Sequence, residues 1–471
     1  MNNKELRRLS LAEAQSLITK KELSPVELVD AYLERIDETE DTINSFTAVY
    51  AEAARKEAKA LEEMQMADHF LGPLHGIPVA VKDNIALAGH VTTGSSIVYE
   101  KNIPGKDAPV AARLKSAGAV LIGKTNMHEF AWGATTDTRL FGASCNPWDP
   151  VRFCCGSSGG SGGSIANATS LAALGTDTGG SVRLPSSVCG IVGMRPTIGR
   201  VPLQGIIPLA YTLDACGPMT RNVKDNAIML NTMAGYQATD PSASNKPTCD
   251  YTGEIGKSIK NMRIGILPEY LFQQDQPDVI QSVKKAFDVF KDLGAELVEC
   301  KIDKLELMAK AWYAVCATEA STFHQKNIRE RPQDYGEDVR TLLEAGEFIT
   351  GTAYVQAQRY RRWLREQFLA AYKDVDCFLF PTLPATAVPI GQYDLVINGK
   401  AENILPLSCN YVIFAPVTGM PALSIPCGQD HDGMPIGMQI LGKPFGESTL
   451  YRAGAAFESV YSLHSKLPGL N

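Results

Sequence analysis

Two segments rich in glycine and serine lie in the middle of the chain. Residues 155–164 read CGSSGGSGGS, and residues 175–183 read GTDTGGSVR. A flexible linker is a poor explanation, because apolar runs flank both segments and Gly/Ser linkers usually join separate domains. A Walker A phosphate loop requires a lysine after its last glycine, and none follows these glycines. Dinucleotide-binding fingerprints need a strand, a glycine turn, a helix and a later acidic residue at a spacing that does not match.

Two serine-hydrolase motifs can also be weighed here. Residues 156–160 and 159–163 both match the GxSxG pattern of the α/β-hydrolase nucleophile elbow. A segment so rich in glycine matches this pattern easily, and the elbow fold would also need a late histidine, whereas His431 and His464 lie in no supporting context. An SxxK motif of the penicillin-binding type occurs at 282–285, on a predicted amphipathic helix without partner motifs, so chance explains it better.

The second segment contains what a serine nucleophile needs. A serine hydroxyl is a weak nucleophile that requires a base, and the reaction requires backbone N–H donors near the developing oxyanion. In the sequence TGGS at 178–181, the glycines allow consecutive N–H groups to form a concave nest that larger side chains would block. With no histidine in place the candidate base is a lysine, which burial must keep neutral. Lys82 follows an apolar strand and is one candidate, although from these residues alone a surface lysine is the preferred interpretation.

The surrounding pattern predicts alternating strands and helices. Ser10 and Ser24 each begin a capping box, so residues 1–65 are predicted to be N-terminal helices that pack on a later core. A short strand is predicted to end at Lys82, and further strands are predicted at 119–123, 263–267, 296–300, 377–380, 422–426 and 438–441. This alternation is typical of an α/β fold with a mixed sheet covered on both faces.

The chain shows no internal repeat and no second core, so a single domain over residues 1–471 is predicted. Residues 239–258 are polar and rich in turn-forming residues, which predicts a surface loop. Residues 270–375 are rich in helical periods and are expected to form a lid or flank over the sheet.

Composition and charge narrow the function classes. The 471 residues are 45% hydrophobic and 21% charged, as in an ordinary globular protein, and no apolar stretch is long enough to span a membrane. The formal net charge of -7 argues against a nucleic-acid surface, because phosphate binding needs clustered lysine and arginine. The eleven cysteines include no CxxC pair and the seven histidines no HExxH motif. We therefore expect a cytoplasmic protein, without a signal peptide and without a zinc site or other metal.

Five segments together resemble a known family. In chain order they are GIPVAVKD at 76–83, GKTNM at 123–127, GSSGGS at 156–161, GTDTGGSVRLP at 175–185 and CGIVGMRPT at 189–197. Their order and spacing make the chain similar to the amidase signature family. The resemblance is close over residues 5–240 and returns at GMPALSIP, residues 419–426.

The resemblance implies a catalytic group that needs no cofactor. Ser181 would be the acylated nucleophile, Ser157 would follow a cis peptide and relay the proton, and Lys82 would be the base. The implied fold is an α/β/α sandwich around a large mixed sheet, with residues 66–240 as the signature core that carries these three residues.

The resemblance also implies roles for neighbouring residues. The oxyanion would be bound by backbone N–H groups of Thr178, Gly179, Gly180 and Ser181, and Ala131 falls where family members line the acyl pocket. Ser158, Asp177 and Arg183 are expected to brace the nucleophile and its surroundings. For Asp177 and Arg183 an ordinary buried ion pair is the alternative interpretation.

One departure from the family pattern lies beside the expected relay serine. Family members usually carry Pro-Gly before the Gly-Ser-Ser sequence, whereas this chain has Cys154 and Cys155. The second cysteine either reshapes the site or only alters loop packing, and both possibilities stay open. A catalytic cysteine is not favoured, because no base motif accompanies it.

Three functions follow as hypotheses. The first is a stand-alone amidase for small amides, with carbamates or esters as related substrates. The second is the glutaminase subunit of a tRNA-dependent amidotransferase. Arg361 approximately matches the arginine with which that subunit binds the substrate carboxylate. The aspartate expected near 409, which would pair with the α-amino group of glutamine, is however replaced by CNY at 409–411. The third is a non-catalytic binding module. The expected partner is a small-molecule amide or carbamate, with no direct nucleic-acid contact and no membrane, and a homodimer is left open.

Overall fold

The computed structural model describes residues 1–463 and 466–468, so His464 lies outside the described residues. The strands are Phe46–Val49 (β1), Pro78–Lys82 (β2), Val120–Thr125 (β3), Asp137–Thr138 (β4), Gly142–Ala143 (β5), Cys145–Asn146 (β6), Asp149–Phe153 (β7), Ala172–Asp177 (β8), Val192–Arg195 (β9), Ala215–Thr220 (β10), Arg263–Ile266 (β11), Glu296–Glu299 (β12), Cys377–Pro381 (β13), Asp394–Ile397 (β14), Lys400–Asn403 (β15), Ala422–Gln429 (β16) and Pro435–Gly442 (β17).

The α-helices vary from one turn to six. They are Asn3–Leu6 (α1), Leu11–Thr19 (α2), Pro25–Ile43 (α3), Ala51–Met66 (α4), Pro109–Ser116 (α5), Gly159–Ala166 (α6), Arg183–Val188 (α7), Val223–Met233 (α8), Pro277–Asp292 (α9), Met308–Glu330 (α10), Glu337–Gly346 (α11), Gly351–Ala371 (α12), Ile404–Leu407 (α13), Cys409–Val412 (α14), Phe414–Thr418 (α15) and Glu447–Glu458 (α16). In the described part of the chain, no helix has both the length and the apolar character needed to cross a bilayer.

Eleven of the strands in the described residues form one mixed sheet. Their order is β1-β3-β2-β8-β10-β9-β16-β17-β13-β11-β12. β2 is parallel to β3 and β8, β11 is parallel to β12 and β13, and the other neighbours are antiparallel. Every residue of β2, β3, β8, β10 and β17 is buried, so both faces of the central sheet are covered. The predicted α/β fold with a large mixed sheet is confirmed.

The N-terminal helices are attached to the core by a carboxylate. Ser10 and Ser24 form the capping boxes that the sequence predicted. At the start of α2, the N–H groups of Leu11 and Ala12 donate to Asp225 at 2.8 and 3.1 Å. A negative charge at a helix N-terminus satisfies N–H groups that have no partner within the helix, and here it joins α2 to α8.

Four strands of the large sheet were not predicted: β1, β8, β9 and β10. β8 reads AALGTD and β10 reads ACGPMT, so each has a single threonine in place of the run of β-branched residues that marks a strand in sequence. β10 even contains Pro218 between two neighbouring strands, a residue that argues against a central strand on sequence alone.

The helix-rich region predicted at 270–375 contains α9 to α12 and also the edge strand β12. α10 and α11 share an apolar cluster with residues outside the α-helices, among them Phe130 and Leu209. Residues 239–258 contain turns but neither helix nor strand, in agreement with the predicted loop. The region around α10 is therefore packed onto the loops that follow the sheet.

Candidate active site

The sheet brings Lys82 and the candidate nucleophile to the same edge. β2 ends at Lys82 and β8 ends at Asp177, and these two strands are parallel neighbours that pair Val81 with Leu174. Residues 178–181, which we call the nucleophile turn, follow β8 directly. Because parallel strands end at the same edge of a sheet, Lys82 and the nucleophile turn are neighbours.

Lys82 is fully buried among hydroxyl groups. Its Nζ donates to Ser157 Oγ at 2.8 Å, to Ser158 Oγ at 2.8 Å and to Thr176 Oγ1 at 2.9 Å. Asn84 Nδ2 donates to the same Thr176 oxygen at 3.2 Å. Neither Thr176 nor Asn84 was predicted to be a site residue, although Thr176 lies in the Gly/Ser-rich segment 175–183 and Asn84 follows Lys82 by two positions.

Burial is the main influence on the pKa of Lys82. It lowers this pKa to about 7, although the negative charges of Asp177 and Asp214 act in the opposite direction. An exposed lysine, with a pKa of about 10.4, is almost entirely charged at neutral pH. A substantial fraction of the Lys82 amine is therefore neutral near pH 7, next to the Ser157 hydroxyl.

Ser157 and Ser158 lie on a short segment in front of α6. The Gly156–Ser157 peptide bond is cis. The Ser158 N–H donates to the Ser181 carbonyl at 3.2 Å, and its hydroxyl donates to the Thr176 carbonyl at 3.3 Å. Among the described residues no hydrogen bond joins the hydroxyls of Ser157 and Ser181, and the backbone bond to Ser181 comes from the neighbouring Ser158.

Asp177 holds the nucleophile turn through two backbone bonds. The Gly180 N–H donates to Asp177 Oδ1 at 3.0 Å and the Val182 N–H donates to Oδ2 at 3.3 Å. This differs from the predicted oxyanion site, because the Gly180 N–H is already engaged by a carboxylate and is not free for a substrate oxygen.

Three other N–H groups of the turn have no hydrogen-bond partner within the described residues. They belong to Thr178, Gly179 and Ser181. Ser181 itself is buried, with 7% of its surface exposed. These N–H groups are available to an oxyanion that forms next to Ser181.

Asp177 is in turn neutralised by two buried arginines. Arg183 donates to both carboxylate oxygens at 3.0 Å, and Arg195 Nη1 donates to Oδ1 at 3.2 Å. Burial would raise the pKa of Asp177, but the two arginines outweigh it and hold this pKa well below its ordinary range. Gln439 accepts from Arg183 Nη1 at 2.6 Å and ties the group to β17. Arg195 was not predicted, although it lies in a segment that carried the resemblance.

Asp214, the residue before β10, also supports the turn. Its carboxylate accepts from Thr178 Oγ1 at 2.5 Å and from the N–H groups of Leu209 and Ala210 at 3.0 and 3.1 Å. Burial raises the pKa of Asp214 to about 6. Asp214 was missed because it immediately precedes β10, a strand that the sequence did not reveal.

Ala131 lies close in sequence to a contact with Ser157. It ends the 3-10 helix Glu129–Ala131, is buried and has a φ of 64°. The N–H of His128, just before it, donates to the Ser157 carbonyl at 3.0 Å. Glu129 accepts from the Gly336 N–H at 2.7 Å, so the start of α11 holds this loop in place.

Cys154 and Cys155, which precede Gly156 and Ser157, are buried thiols. Burial raises the pKa of Cys155 to about 12, so its thiol is neutral and a poor nucleophile. Cys154 donates to the Cys145 carbonyl at 3.1 Å and packs between loops. Within the part of the chain that the structure describes, no group of three or more His, Cys, Asp or Glu side chains is arranged to hold a metal ion.

Arg361, on α12, is engaged by protein groups alone. A guanidinium has five N–H donors. They reach the Val417 carbonyl at 3.2 Å, Thr212 Oγ1 at 2.7 Å, Gln358 Oε1 at 2.9 Å, the Thr212 carbonyl at 2.7 Å and the Pro416 carbonyl at 3.4 Å. No donor is left for a substrate carboxylate, and the arginine instead connects α12 with α15 and with the loop before Asp214.

Comparison with known proteins gives consistent matches over the full length. A family model described as Amidase matches residues 27–451. An amidase from Pseudomonas putida is 40% identical over 467 residues, which cover 99% of this chain and 98% of that protein. A glutamyl-tRNA(Gln) amidotransferase subunit from Staphylococcus epidermidis is 37% identical over 487 residues, covering 98% of this chain and 99% of that one.

One solved structure illustrates the similarity of fold. It is described as an unexpected vestigial protein complex that reveals the evolutionary origins of an s-triazine catabolic enzyme. It superposes with a TM-score of 0.92 at 32% sequence identity, covering 96% of this chain and 99% of that chain.

The lowered pKa of Lys82 leads to a prediction about stability that does not depend on catalysis. The pKa of Lys82 is about 7 in the folded chain, against an ordinary value of 10.5. Between these pH values the unfolded chain binds one more proton at this residue, so stability rises with pH. Relative to Lys82→Met, the free energy of unfolding of the wild type should increase by about 1.4 kcal/mol per pH unit from pH 7.5 to 9.5.

Urea unfolding of both proteins across this pH range measures the effect, and the exposed Lys56→Met is the matched control. The difference between the control and the wild type should not change with pH. A Lys82→Met difference that is equally flat would mean that Lys82 stays protonated in the folded protein.

Proposed function

The chain belongs to the amidase family and is an amide-hydrolysing enzyme, and we propose that it cleaves the C–N bond through an acyl-enzyme on Ser181. In this proposal Ser157 relays the proton and Lys82 is the base. The single observation that carries it is the buried Lys82 amine, with a pKa of about 7, hydrogen-bonded to the Ser157 hydroxyl at 2.8 Å. A neutral amine in that position can accept a proton, as nucleophilic serine chemistry requires.

In the acylation step the Ser181 Oγ attacks the carbonyl carbon of the amide. A bond forms between this oxygen and carbon, and the π electrons of the carbonyl move to its oxygen. The Ser181 proton passes to Ser157 as the Ser157 proton passes to Lys82. The C–N bond then breaks, and the leaving nitrogen takes the proton back through the same relay, so that the amine departs neutral.

In the second step water replaces the amine. Lys82 takes a proton from water through Ser157, the hydroxide oxygen attacks the ester carbon, and Ser181 leaves with the returned proton. Both tetrahedral intermediates carry a negative oxygen, for which the N–H groups of Thr178, Gly179 and Ser181 are the proposed donors. Their lack of other partners in the described residues supports this role, and Gly180 acts indirectly by fixing the turn on Asp177.

The proposed substrate is a small-molecule amide, with a carbamate or an ester as the alternatives that the same chemistry allows. Acyl transfer from any of these compounds uses the same nucleophile and the same oxyanion donors. A cytoplasmic location and a homodimer stay predictions from the sequence.

The glutaminase component of a tRNA-dependent amidotransferase is the second candidate. It is supported by the 37% identity to the glutamyl-tRNA(Gln) amidotransferase protein of Staphylococcus epidermidis. Two features argue against it. Arg361, which matches the expected carboxylate-binding arginine, has five acceptors within the protein, and Cys409 and Asn410 stand where an aspartate is expected for the α-amino group. Both charged ends of glutamine would therefore lack a partner.

The nucleophile is tested by Ser181→Ala. Loss of the nucleophile in a serine hydrolase costs on the order of 10⁶ in kcat, so no turnover of a simple amide should be measurable. A fluorophosphonate should label the wild type and not this variant. Ser186→Ala, a buried serine of α7 that donates to the Val182 carbonyl at 2.8 Å, is the matched control and should retain activity and labelling. Residual activity above a percent in a pure Ser181→Ala preparation would assign the nucleophile to another residue.

The base is tested by the pH dependence of kcat/KM. Lys82 must be neutral to act, so the rate should fall as the pH drops through about 7 and should level off above it. The guanidinium of Lys82→Arg stays protonated and cannot act as a base. This variant should therefore be roughly 10³-fold slower, and its rate should not fall as the pH drops through about 7. An arginine variant with a normal rate and an unchanged profile would limit Lys82 to a fixed positive charge.

Substrate screening separates the two candidate functions. The purified chain should hydrolyse small uncharged amides, and its kcat/KM for glutamine should be lower by roughly 100-fold or more, because burying unpaired charges is costly. Arg361→Met should reduce both activities together, since Arg361 connects protein segments rather than substrate. Efficient glutamine hydrolysis that Arg361→Met abolishes selectively would reverse this ranking.

A further inference from the structure

An indole ring lies directly against the nucleophile turn. A Cβ built on Gly179 would lie 2.6 Å from Cζ2 of Trp312, which is on α10. The Trp312 Nε1–H also donates to the Thr178 carbonyl at 3.0 Å. On the next residue, a Cβ on Gly180 would lie 2.5 Å from Cγ2 of Val412, on α14. The side of the turn that faces the helical region is therefore covered by an indole and an isopropyl group.

The charged groups behind this apolar cover are already paired. Glu319 accepts from the Thr212 N–H at 2.9 Å, from the Thr212 hydroxyl at 2.7 Å and from the Tyr354 hydroxyl at 2.8 Å. Arg361 and Asp214 are bonded to protein groups, as described above. Glu319, Arg361 and Asp214 are thus each bonded to protein groups rather than left to pair with a charged substrate.

Trp312 itself is only partly buried, although its indole N–H and one ring edge are fixed on the turn. The ring edge lies against Gly179, two residues before Ser181. An aromatic surface in this position favours a flat, apolar group, because aromatic rings gain from offset or edge contacts with each other. A charged group would lose its water there without gaining a partner.

We propose that Trp312 is a specificity-determining residue and that the substrate is an uncharged amide with an aromatic ring close to the scissile carbonyl. This inference rests on the proposed function, because it places the ring relative to an acyl group on Ser181. The indole has two separable roles: its N–H positions the Thr178 carbonyl and hence the turn, while its ring surface contacts the aromatic group of the substrate.

The test compares two amides that differ in the planarity of one ring, phenylacetamide and cyclohexylacetamide. The ratio of their kcat/KM values is measured for the wild type, Trp312→Leu and Trp312→Phe. The leucine variant should lower the ratio roughly 3- to 10-fold, in the range of one aromatic contact. The phenylalanine variant keeps a ring and loses the N–H, so it should preserve the ratio within about twofold while kcat falls for both amides.

Trp148→Leu is the matched control. Trp148 is also half-buried and also donates its indole N–H to a backbone carbonyl, that of Cys189 at 2.9 Å, away from the nucleophile turn. Its replacement should leave the ratio unchanged. An unchanged ratio in Trp312→Leu, or an equal change in Trp148→Leu, would overturn the inference.

Two further measurements separate this inference from the proposed function. Calorimetric binding of both amides to Ser181→Ala, with and without Trp312→Leu, reports the aromatic contact without turnover. A wild type that hydrolyses no simple amide, carbamate or ester and is not labelled by a fluorophosphonate, but binds phenylacetamide through Trp312, would overturn the proposed function and support the aromatic contact. Equal turnover of phenylacetamide and (4-carboxyphenyl)acetamide would overturn the requirement for an uncharged substrate, for which at least a roughly 10-fold preference is expected.

Discussion

Lys82 can serve as a base only while its amine is neutral, and the nearby carboxylate of Asp177 opposes this state. The structure reconciles the two by giving Asp177 its own cations. Arg183 and Arg195 are fully buried with it and bond to its carboxylate, so the negative charge is balanced without the lysine. Lys82 is surrounded instead by neutral hydroxyl oxygens, and burial lowers its pKa to about 7. This separation of charges depends on the sheet, because β2, β8 and β9 deliver the lysine, the aspartate and Arg195 to adjoining positions.

The same aspartate connects electrostatics with geometry. Asp177 accepts the Gly180 N–H and fixes the nucleophile turn, while Asp214 holds the turn through the Thr178 hydroxyl. Trp312 binds the Thr178 carbonyl from the helical region. The turn is thus held by groups from β8, from the residue before β10 and from α10. Both glycines of the turn are needed. Gly179 leaves room for the indole of Trp312, and Gly180 has a φ of 112°, which residues with a side chain rarely adopt.

The sequence predicted the parts of the site that lie in local motifs, and it missed those that depend on tertiary neighbours. Lys82 and Ser157 were predicted from segments whose order and spacing resemble a known family, since the local pattern around Lys82 alone favoured a surface lysine. Thr176 and Asp214 could not, because β8 and β10 are rich in Ala, Gly, Cys and Pro residues that show no alternation of strand type. The engagement of the Gly180 N–H depends on the rotamer and burial of Asp177, which a glycine pattern does not encode. In the same way, Arg361 matched a substrate-binding arginine by position, but most of its partners come from two distant segments of the chain, at Thr212 and at Pro416 and Val417.

The arrangement explains how one catalytic group can be compatible with different substrates in related proteins. Asp177 is paired with two arginines and Lys82 is surrounded by hydroxyl groups, so neither arrangement depends on which amide is bound. The residues that cover the turn come from α10 and α14, and they contribute an indole and an isopropyl group but no free charge. A substitution at Trp312 or Val412 would alter the shape of the site while leaving the hydrogen bonds of Lys82 in place. In the two proposals, substrate choice and proton transfer are therefore assigned to different parts of the molecule, which meet at Gly179 and Gly180.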